Sequence, residues 1–157
     1  MVDIVQVRGK GLPAGDFETL VEGWVERLSG LPMAVVVNDR VDIAVGVGAD
    51  GTHLGKDDLP IEAARAIAPP GFLLGVSTHG REQLLAAEVA GADYAGLGAF
   101  RASRTKPDAK ALEPDRAGLT EPFPELNIPV LAIGGLDAGR VADAFRVPAV
   151  TGVAVGA

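Results

Sequence analysis

The sequence contains no cysteine, so neither disulfide bonds nor thiolate metal sites are available to this protein. Aromatic residues make up only 4% of its 157 residues, and the core must therefore be built from small aliphatic side chains. No apolar run reaches the roughly 18 residues that indicate a membrane-spanning helix. The N-terminal apolar run is also too short for a signal peptide. We expect a cytoplasmic protein that has no membrane partner.

Positive charge is scarce as well. The chain has 14 Lys and Arg against 21 Asp and Glu, which gives a formal net charge of −7, and it contains no basic run. Nucleic-acid binding requires a basic face, so we expect no nucleic-acid partner. Glycine is abundant at 21 residues, well above its usual share of about 7%. Such glycines favour loops in which the backbone turns tightly or approaches a ligand.

The length of the chain fits one domain, residues 1–157. Seven short apolar runs are predicted to be strands that are buried on both faces. These runs are Ile4–Val7, Met33–Val37, Thr52–Leu54, Leu73–Val76, Tyr94–Leu97, Val130–Ile133 and Gly152–Val155. Apolar residues at the helical period predict helices between them. These helices include Phe17–Leu28, Glu82–Ala90 and Ala138–Phe145, with Asp16, Ser77 or Thr78, and Asp137 as candidate N-caps.

Strands that alternate with helices indicate an α/β protein with a parallel sheet. A Gly-Ala-Asp sequence leads into two of the strands, at Gly48–Asp50 and Gly91–Asp93. This repetition favours a TIM-type (β/α) barrel over an open doubly wound sheet. A complete barrel has eight strands and about 250 residues. We therefore expect a shortened barrel of about seven parallel strands that lacks the first βα unit and the last helix. Its open sheet edges predict a homo-oligomer, most simply a dimer.

Polar residues follow the strands at their C-terminal ends, where parallel barrels carry their chemistry. Alternation along the first strand places Gln6 and Arg8 on one face, and Lys10 lies just beyond its end. Two cations and an amide at the mouth of a barrel suit a phosphate or diphosphate. A solvated strand end is the alternative.

Acidic residues follow the second and third strands. Asp39 lies within Asn38-Asp39-Arg40, and Asp58 ends the segment Gly55-Lys56-Asp57-Asp58. Carboxylates from two adjacent strand ends can share one Mg²⁺, which takes one or two carboxylates together with substrate phosphates. The alternative is that Asp39 and Asp58 are helix N-caps.

Three later strand ends complete the pattern. Ser77 can donate a hydrogen bond to a phosphate, and His79 can act as an acid or base. The alternative for His79 is a structural role, which is more common for a lone histidine. We expect His53 to be structural. The loop at 98–107 mixes hydroxyls, cations and small residues, a composition that suits an anion site. Gly134-Gly135 follows the sixth strand, where backbone N–H groups can approach a phosphate at the start of a helix.

Taken in order, these segments resemble thiamine phosphate synthase over nearly the whole chain. The matching segments are Gln6-x-Arg8-x-Lys10, Asn38-Asp39-Arg40, His53-Leu54-Gly55-x-x-Asp58, Gly75-Val76-Ser77-x-His79, Gly91-Ala92-Asp93-Tyr94, Thr105-Lys106 and Ile133-Gly134-Gly135. The resemblance implies a transferase of thiamine biosynthesis. This family joins 4-amino-2-methyl-5-pyrimidinylmethyl diphosphate to thiazole phosphate and releases diphosphate, so its partners are small phosphorylated molecules.

The resemblance also implies a role for each site residue. The pyrimidine diphosphate is assigned to Gln6, Arg8, Lys10, Asn38, Ser77 and Lys106, and the thiazole phosphate to Ser103, Arg104, Thr105 and Gly134. Mg²⁺, the expected cofactor, is assigned to Asp39 and Asp58. The residues expected to take part in catalysis are Arg8, Lys10, Ser77, His79 and Lys106.

The sequence also departs from the family pattern. We expect the family's opening strand and helix and its closing helix to be missing from the barrel, and Ser103 stands where threonine is usual. One alternative function is therefore a shortened paralogue that binds a phosphorylated thiamine precursor without turnover. Another is a thiazole tautomerase, which resembles the Ser77-x-His79 segment but generally lacks the metal carboxylates. Asp39 and Asp58 favour the synthase over the tautomerase.

Overall fold

The structure is a computed structural model that describes residues 2–100, 111–112, 118–119, 126–137 and 139–156. Seven strands lie within these residues: β1 (Ile4–Val7), β2 (Ala34–Asn38), β3 (Gly51–Leu54), β4 (Leu73–Thr78), β5 (Tyr94–Gly98), β6 (Val130–Ile133) and β7 (Gly152–Ala154). Five helices accompany them: α1 (Ala14–Leu28), α2 (Val41–Gly46), α3 (Ile61–Ile67), α4 (Arg81–Val89) and α5 (Val141–Ala144). All seven predicted strands are confirmed.

The strands form one sheet in the chain order β1 to β7. The pairings of β1 with β2, β2 with β3, β5 with β6 and β6 with β7 are parallel. The α/β class with a parallel sheet is therefore confirmed. Parallel pairing brings the C-terminal ends of neighbouring strands to the same edge, and the register pairs Asn38 at the end of β2 with His53 in β3.

The predicted helix caps are wrong, and three helices begin elsewhere than expected. The N-caps in the structure are Pro13, Gly80 and Arg140. Asp16 lies inside the first turn of α1. Thr78 remains in β4, where its hydroxyl donates to the Gly96 carbonyl at 3.1 Å. The Asp137 carbonyl accepts from the N–H groups of Arg140 and Val141, and this turn delays the start of α5.

Small aliphatic side chains fill the cores of the two compact units into which the chain divides, Met1–Gly75 and Val76–Ala157. Fully buried residues of the first unit include Val21, Val36, Val37, Ala44 and Leu74. The core of the second unit includes Leu84, Ala95, Leu97, Leu119, Val130 and Ala132. Across the described ranges, no helix is both long enough and apolar enough to cross a membrane.

One charged side chain stabilises the start of β2. The Asp50 carboxylate accepts a hydrogen bond of 2.7 Å from the backbone N–H of Val35, a residue that is only 3% exposed. We expect Asp50→Ala to lower the free energy of unfolding by about 1–3 kcal/mol, because the buried N–H loses its acceptor. Urea denaturation checks this, with Asp50→Asn as the control that keeps a side-chain oxygen. Equal urea concentrations at the midpoint of unfolding for the parent and Asp50→Ala would contradict the prediction.

Candidate active site

The ends of β1 and β2 bring two predicted substrate-binding residues together. Gln6 lies in β1, and its Nε2 donates a hydrogen bond of 2.7 Å to Oδ1 of Asn38, the last residue of β2. The parallel register of β1 and β2 produces this contact across 32 residues of sequence. Arg8 and Lys10 follow β1, and both side chains are exposed to solvent. The predicted anion-binding residues of β1 are therefore accessible.

The turn between β2 and α2 has an unusual backbone at Asp39. Its φ of 67° is in the left-handed region, which Asp and Asn tolerate better than most residues. The Asp39 N–H donates to the His53 carbonyl at 2.9 Å, and the N–H of Arg40 donates to the Asn38 carbonyl at 2.8 Å. Arg40 is the N-cap of α2. The alternative that Asp39 is a helix cap is therefore wrong.

The loop between β3 and α3 holds Asp58 by its own backbone. Oδ2 of Asp58 accepts a hydrogen bond of 2.6 Å from the Gly55 N–H, and the Asp58 N–H donates to the Gly55 carbonyl at 3.3 Å. The N-cap of α3 is Pro60, so Asp58 is not a helix cap either. This reciprocal turn fixes the carboxylate at the end of β3.

The donor set of these two loops fits Mg²⁺. Within the described ranges, no three His, Cys, Asp or Glu side chains are grouped to hold a metal ion by themselves. Asp39 and Asp58 follow the paired strands β2 and β3, and both offer carboxylate oxygens. Mg²⁺ in proteins is commonly bound by one or two carboxylates, and substrate phosphates and water complete its coordination.

A pocket of about 200 Å³ opens at the ends of β1 and β2. It is lined by Gly9, Lys10, Leu12 and Phe17 on one side and by Asn38, Asp39 and Arg40 on the other. Sequence reasoning assigned Lys10, Asn38 and Asp39 to substrate and metal but gave Arg40 no role. The one available signal was the position of Arg40 beside Asp39 in the same segment.

Arg40 is held by an acidic neighbour. Its Nε donates to Oδ1 of Asp42 at 2.8 Å and its Nη2 donates to Oδ2 at 2.5 Å. These hydrogen bonds raise the pKa of Arg40 and lower the pKa of Asp42, so both groups stay charged. Arg40, a lining residue of the pocket, therefore carries a positive charge whose guanidinium is held by Asp42.

The end of β4 carries Ser77 and His79. Ser77 is half-buried within β4, whereas His79 is exposed just beyond the strand. Nδ1 of His79 contacts the Gly98 carbonyl, and the His79 N–H donates to Oε1 of Gln83 at 2.7 Å. Because a carbonyl oxygen only accepts, Nδ1 carries a proton, and in the neutral ring Nε2 is the acceptor. His53, expected to be structural, is buried within β3.

The predicted thiazole phosphate residues are described only in part. Ser103, Arg104, Thr105 and Lys106 lie outside the described residues. Gly134 and Gly135 follow β6 and have φ values of 97° and 62°, which glycine adopts freely. They do not lie at a helix N-terminus as expected, because α5 begins only at Val141.

Comparisons with known proteins agree with this arrangement. A family model described as thiamine monophosphate synthase matches residues 1–157. The thiamine-phosphate synthase of Methanoculleus marisnigri is 40% identical over 153 residues, which cover 98% of this chain and 72% of that protein. The thiamine-phosphate synthase of Roseiflexus sp. is 40% identical over 155 residues, which cover 97% of this chain and 64% of that protein. The chain thus spans about two thirds of the length of these relatives.

Two solved structures share the fold. The thiamine phosphate pyrophosphorylase from Pyrococcus furiosus has 34% sequence identity and a TM-score of 0.82, covering 97% of this chain and 71% of that chain. TrpF from Jonesia denitrificans has 18% identity and a TM-score of 0.62, covering 98% of this chain and 75% of that chain, and it shows a common fold alone. The predicted (β/α)-barrel class is confirmed.

Proposed function

The chain belongs to the thiamine monophosphate synthase family, and we propose that it joins 4-amino-2-methyl-5-pyrimidinylmethyl diphosphate to thiazole phosphate and releases diphosphate. The observation that carries this proposal is the pocket at the ends of β1 and β2. Its lining includes two cations, an amide and a carboxylate from the ends of two neighbouring strands, namely Lys10, Arg40, Asn38 and Asp39. That combination suits a diphosphate with a divalent cation.

The contacts of Asn38 support its role in binding the diphosphate. Its Oδ1 accepts from Gln6, so its amide orientation is fixed and Nδ2 keeps its N–H donors for phosphate oxygens. Arg8 and Lys10 are exposed after the neighbouring strand β1 and add two positive charges. In the proposal, Gln6 acts by holding Asn38, and the two cations bind the phosphates directly.

Asp39 and Asp58 are the proposed Mg²⁺ ligands. These two carboxylates would hold Mg²⁺, which would supply positive charge to offset that of the leaving diphosphate. The chain holds the backbone of Asp39, whose N–H donates to the His53 carbonyl. It holds the carboxylate of Asp58, which accepts from the Gly55 N–H.

The proposed reaction breaks the bond between the methylene carbon and the diphosphate oxygen, and the electron pair leaves with diphosphate. The pyrimidine ring delocalises the positive charge left on the methylene, and the thiazole nitrogen supplies the electron pair of the new bond.

The proposed residue roles follow from these charges. Arg8, Lys10 and Lys106 stabilise the departing negative charge. Ser77 donates to the diphosphate, and Nε2 of His79 accepts a hydrogen bond from the substrate. Ser103, Arg104, Thr105 and Gly134 hold the thiazole phosphate.

Asp58→Asn separates the charge of Asp58 from its structural contact. The asparagine oxygen can still accept from the Gly55 N–H, so the loop is expected to keep its shape. With one negative charge removed from the proposed metal site, we expect the Mg²⁺ concentration for half-maximal activity to rise about tenfold or more. A Mg²⁺ titration of initial rates checks this. An unchanged Mg²⁺ concentration for half-maximal activity would contradict the assignment of Asp58 to the metal site.

The proposed function is tested by incubating the purified chain with the two substrates and Mg²⁺ and measuring thiamine phosphate. Formation of thiamine phosphate with an equal amount of diphosphate is the expected result. Calorimetric binding of a substrate without product would instead indicate the non-catalytic paralogue. Isomerisation of the thiazole without product would indicate the tautomerase.

The homodimer and the cytoplasmic location remain predictions. Among the described strands, β1 and β7 stand at the two ends of the strand order. An exposed strand edge pairs readily with another chain, which supports association of two copies. Light scattering during size-exclusion chromatography is expected to give twice the 16.0 kDa mass of one chain. A mass of one chain across the micromolar range would exclude the dimer.

A further inference from the structure

The pocket at the ends of β1 and β2 has a small volume and one aromatic wall. Phe17 of α1 forms part of its wall and is 4% exposed. Gly9 lies against this ring, because a Cβ at Gly9 would lie only 2.4 Å from Cδ2 of Phe17. The volume of about 200 Å³ is below the roughly 300–1,000 Å³ of pockets for drug-sized ligands. The pocket therefore suits a small group, such as one end of a diphosphate.

Two of the three charged residues that line this pocket are cations, and the third is Asp39, the proposed Mg²⁺ ligand. Lys10 reaches it from the loop after β1, and Arg40 reaches it from the turn after β2. A guanidinium has five N–H donors, and Asp42 takes one from Nε and one from Nη2. Three donors remain beyond the contact with Asp42. A planar guanidinium whose side chain is already held loses less conformational entropy when it binds a phosphate.

We propose that Arg40 is a further substrate-binding residue that holds the diphosphate in this pocket, and that Asp42 is a positioning residue that holds the Arg40 guanidinium. The inference rests on the proposed function for the identity of the anion. It adds a cation from the β2–α2 turn to the cations that follow β1. Asp42 acts through Arg40 and does not contact the substrate.

Binding of inorganic diphosphate with Mg²⁺, measured by calorimetry on the full chain, tests the proposal. We expect Arg40→Met to weaken binding about 10- to 100-fold, as loss of a charged hydrogen bond predicts. Arg40→Lys should recover part of the affinity. In turnover assays, Arg40→Met should raise KM for the pyrimidine diphosphate and leave KM for the thiazole phosphate unchanged.

Arg146 provides the matched control. It forms a comparable surface contact with Asp143, at 3.4 Å between Nη1 and Oδ1, and it does not line the pocket. Arg146→Met removes the same charge and should bind diphosphate like the parent. Asp42→Asn should weaken binding in the parent but have no further effect in the Arg40→Met background. An effect of Asp42→Asn in that background would contradict its positioning role.

The outcomes separate this inference from the proposed function. Equal diphosphate affinities for Arg40→Met and Arg146→Met would overturn the inference even if the parent forms thiamine phosphate. Weakened binding in Arg40→Met and in Asp42→Asn, but not in Arg146→Met, would support it even if the parent forms no product. Thermal melting of each variant confirms that the fold is intact, and Arg40→Gln provides a second neutral substitution if Arg40→Met does not fold.

Discussion

Asp39→Gly is expected to lower kcat/KM for thiamine phosphate formation by at least about 100-fold while the fold stays intact. Loss of one group that stabilises developing charge typically costs about 10²–10³ in rate. The backbone at Asp39 has a φ of 67°, a conformation that glycine adopts without strain. The substitution therefore removes the carboxylate without disturbing the turn between β2 and α2.

Two further substitutions separate charge from backbone strain at this position. Asp39→Asn keeps the shape and tolerates the left-handed backbone, so it should retain the parent's thermal stability and lose most of its activity. Asp39→Ala should lose activity and also about 1 kcal/mol of stability, because alanine is strained at positive φ. Parent-like activity of Asp39→Gly at saturating Mg²⁺ would contradict the assignment of Asp39 to the metal.

Gly98→Ala is expected to destabilise the fold by about 3 kcal/mol, which corresponds to a fall in Tm of roughly 6–12 °C for a chain of this length. A Cβ at Gly98 would lie 2.2 Å from the carbonyl oxygen of Ile133 and 2.9 Å from its Cγ2. Gly98 and Ile133 are register partners in β5 and β6. The two strands must separate to admit the methyl group, and this also strains the 3.0 Å hydrogen bond from the Phe100 N–H to the Ile133 carbonyl.

Gly23→Ala is the matched control for Gly98→Ala. Gly23 lies inside α1, and a Cβ there would have no neighbouring atom within 4 Å outside the helix. Alanine in a helix interior is more favourable than glycine by about 1 kcal/mol, so this variant should melt at or above the parent temperature. If Gly98→Ala has the same Tm as Gly23→Ala, the close approach of β5 and β6 is wrong.

The strands were the most predictable part of the fold. Parallel strands buried on both faces are continuous apolar runs, and β1 and β6 match the predicted runs residue for residue. The short helices were less predictable. α2 has six residues, which is too short for the helical period to be counted. α5 has four residues and lies inside the longer helix predicted over Ala138–Phe145. The predicted N-caps were wrong because side chains expected to cap helices make other contacts. The Thr78 hydroxyl, for example, donates to the Gly96 carbonyl.

The candidate site was predictable in its residue types but not in its contacts. Gln6 and Asn38 were each predicted to bind substrate because they lie at strand ends. Their hydrogen bond to each other depends on the register of β1 and β2, which the sequence does not show. Likewise, sequence offered two roles for Asp39, and only the backbone conformation and the N-cap at Arg40 decided against a helix cap. The role proposed for Arg40 rests on its contact with Asp42 and its place in the pocket lining, which no spacing rule encodes.

The central claim is that the loops after β1, β2 and β3 hold the diphosphate and its metal ion. The most direct test is anomalous diffraction from crystals soaked with Mn²⁺, as a substitute for Mg²⁺, together with diphosphate. We expect one strong anomalous peak bound by Asp39 and Asp58, with diphosphate against Arg8, Lys10 and Asn38. A peak elsewhere, or diphosphate bound without these residues, would contradict it.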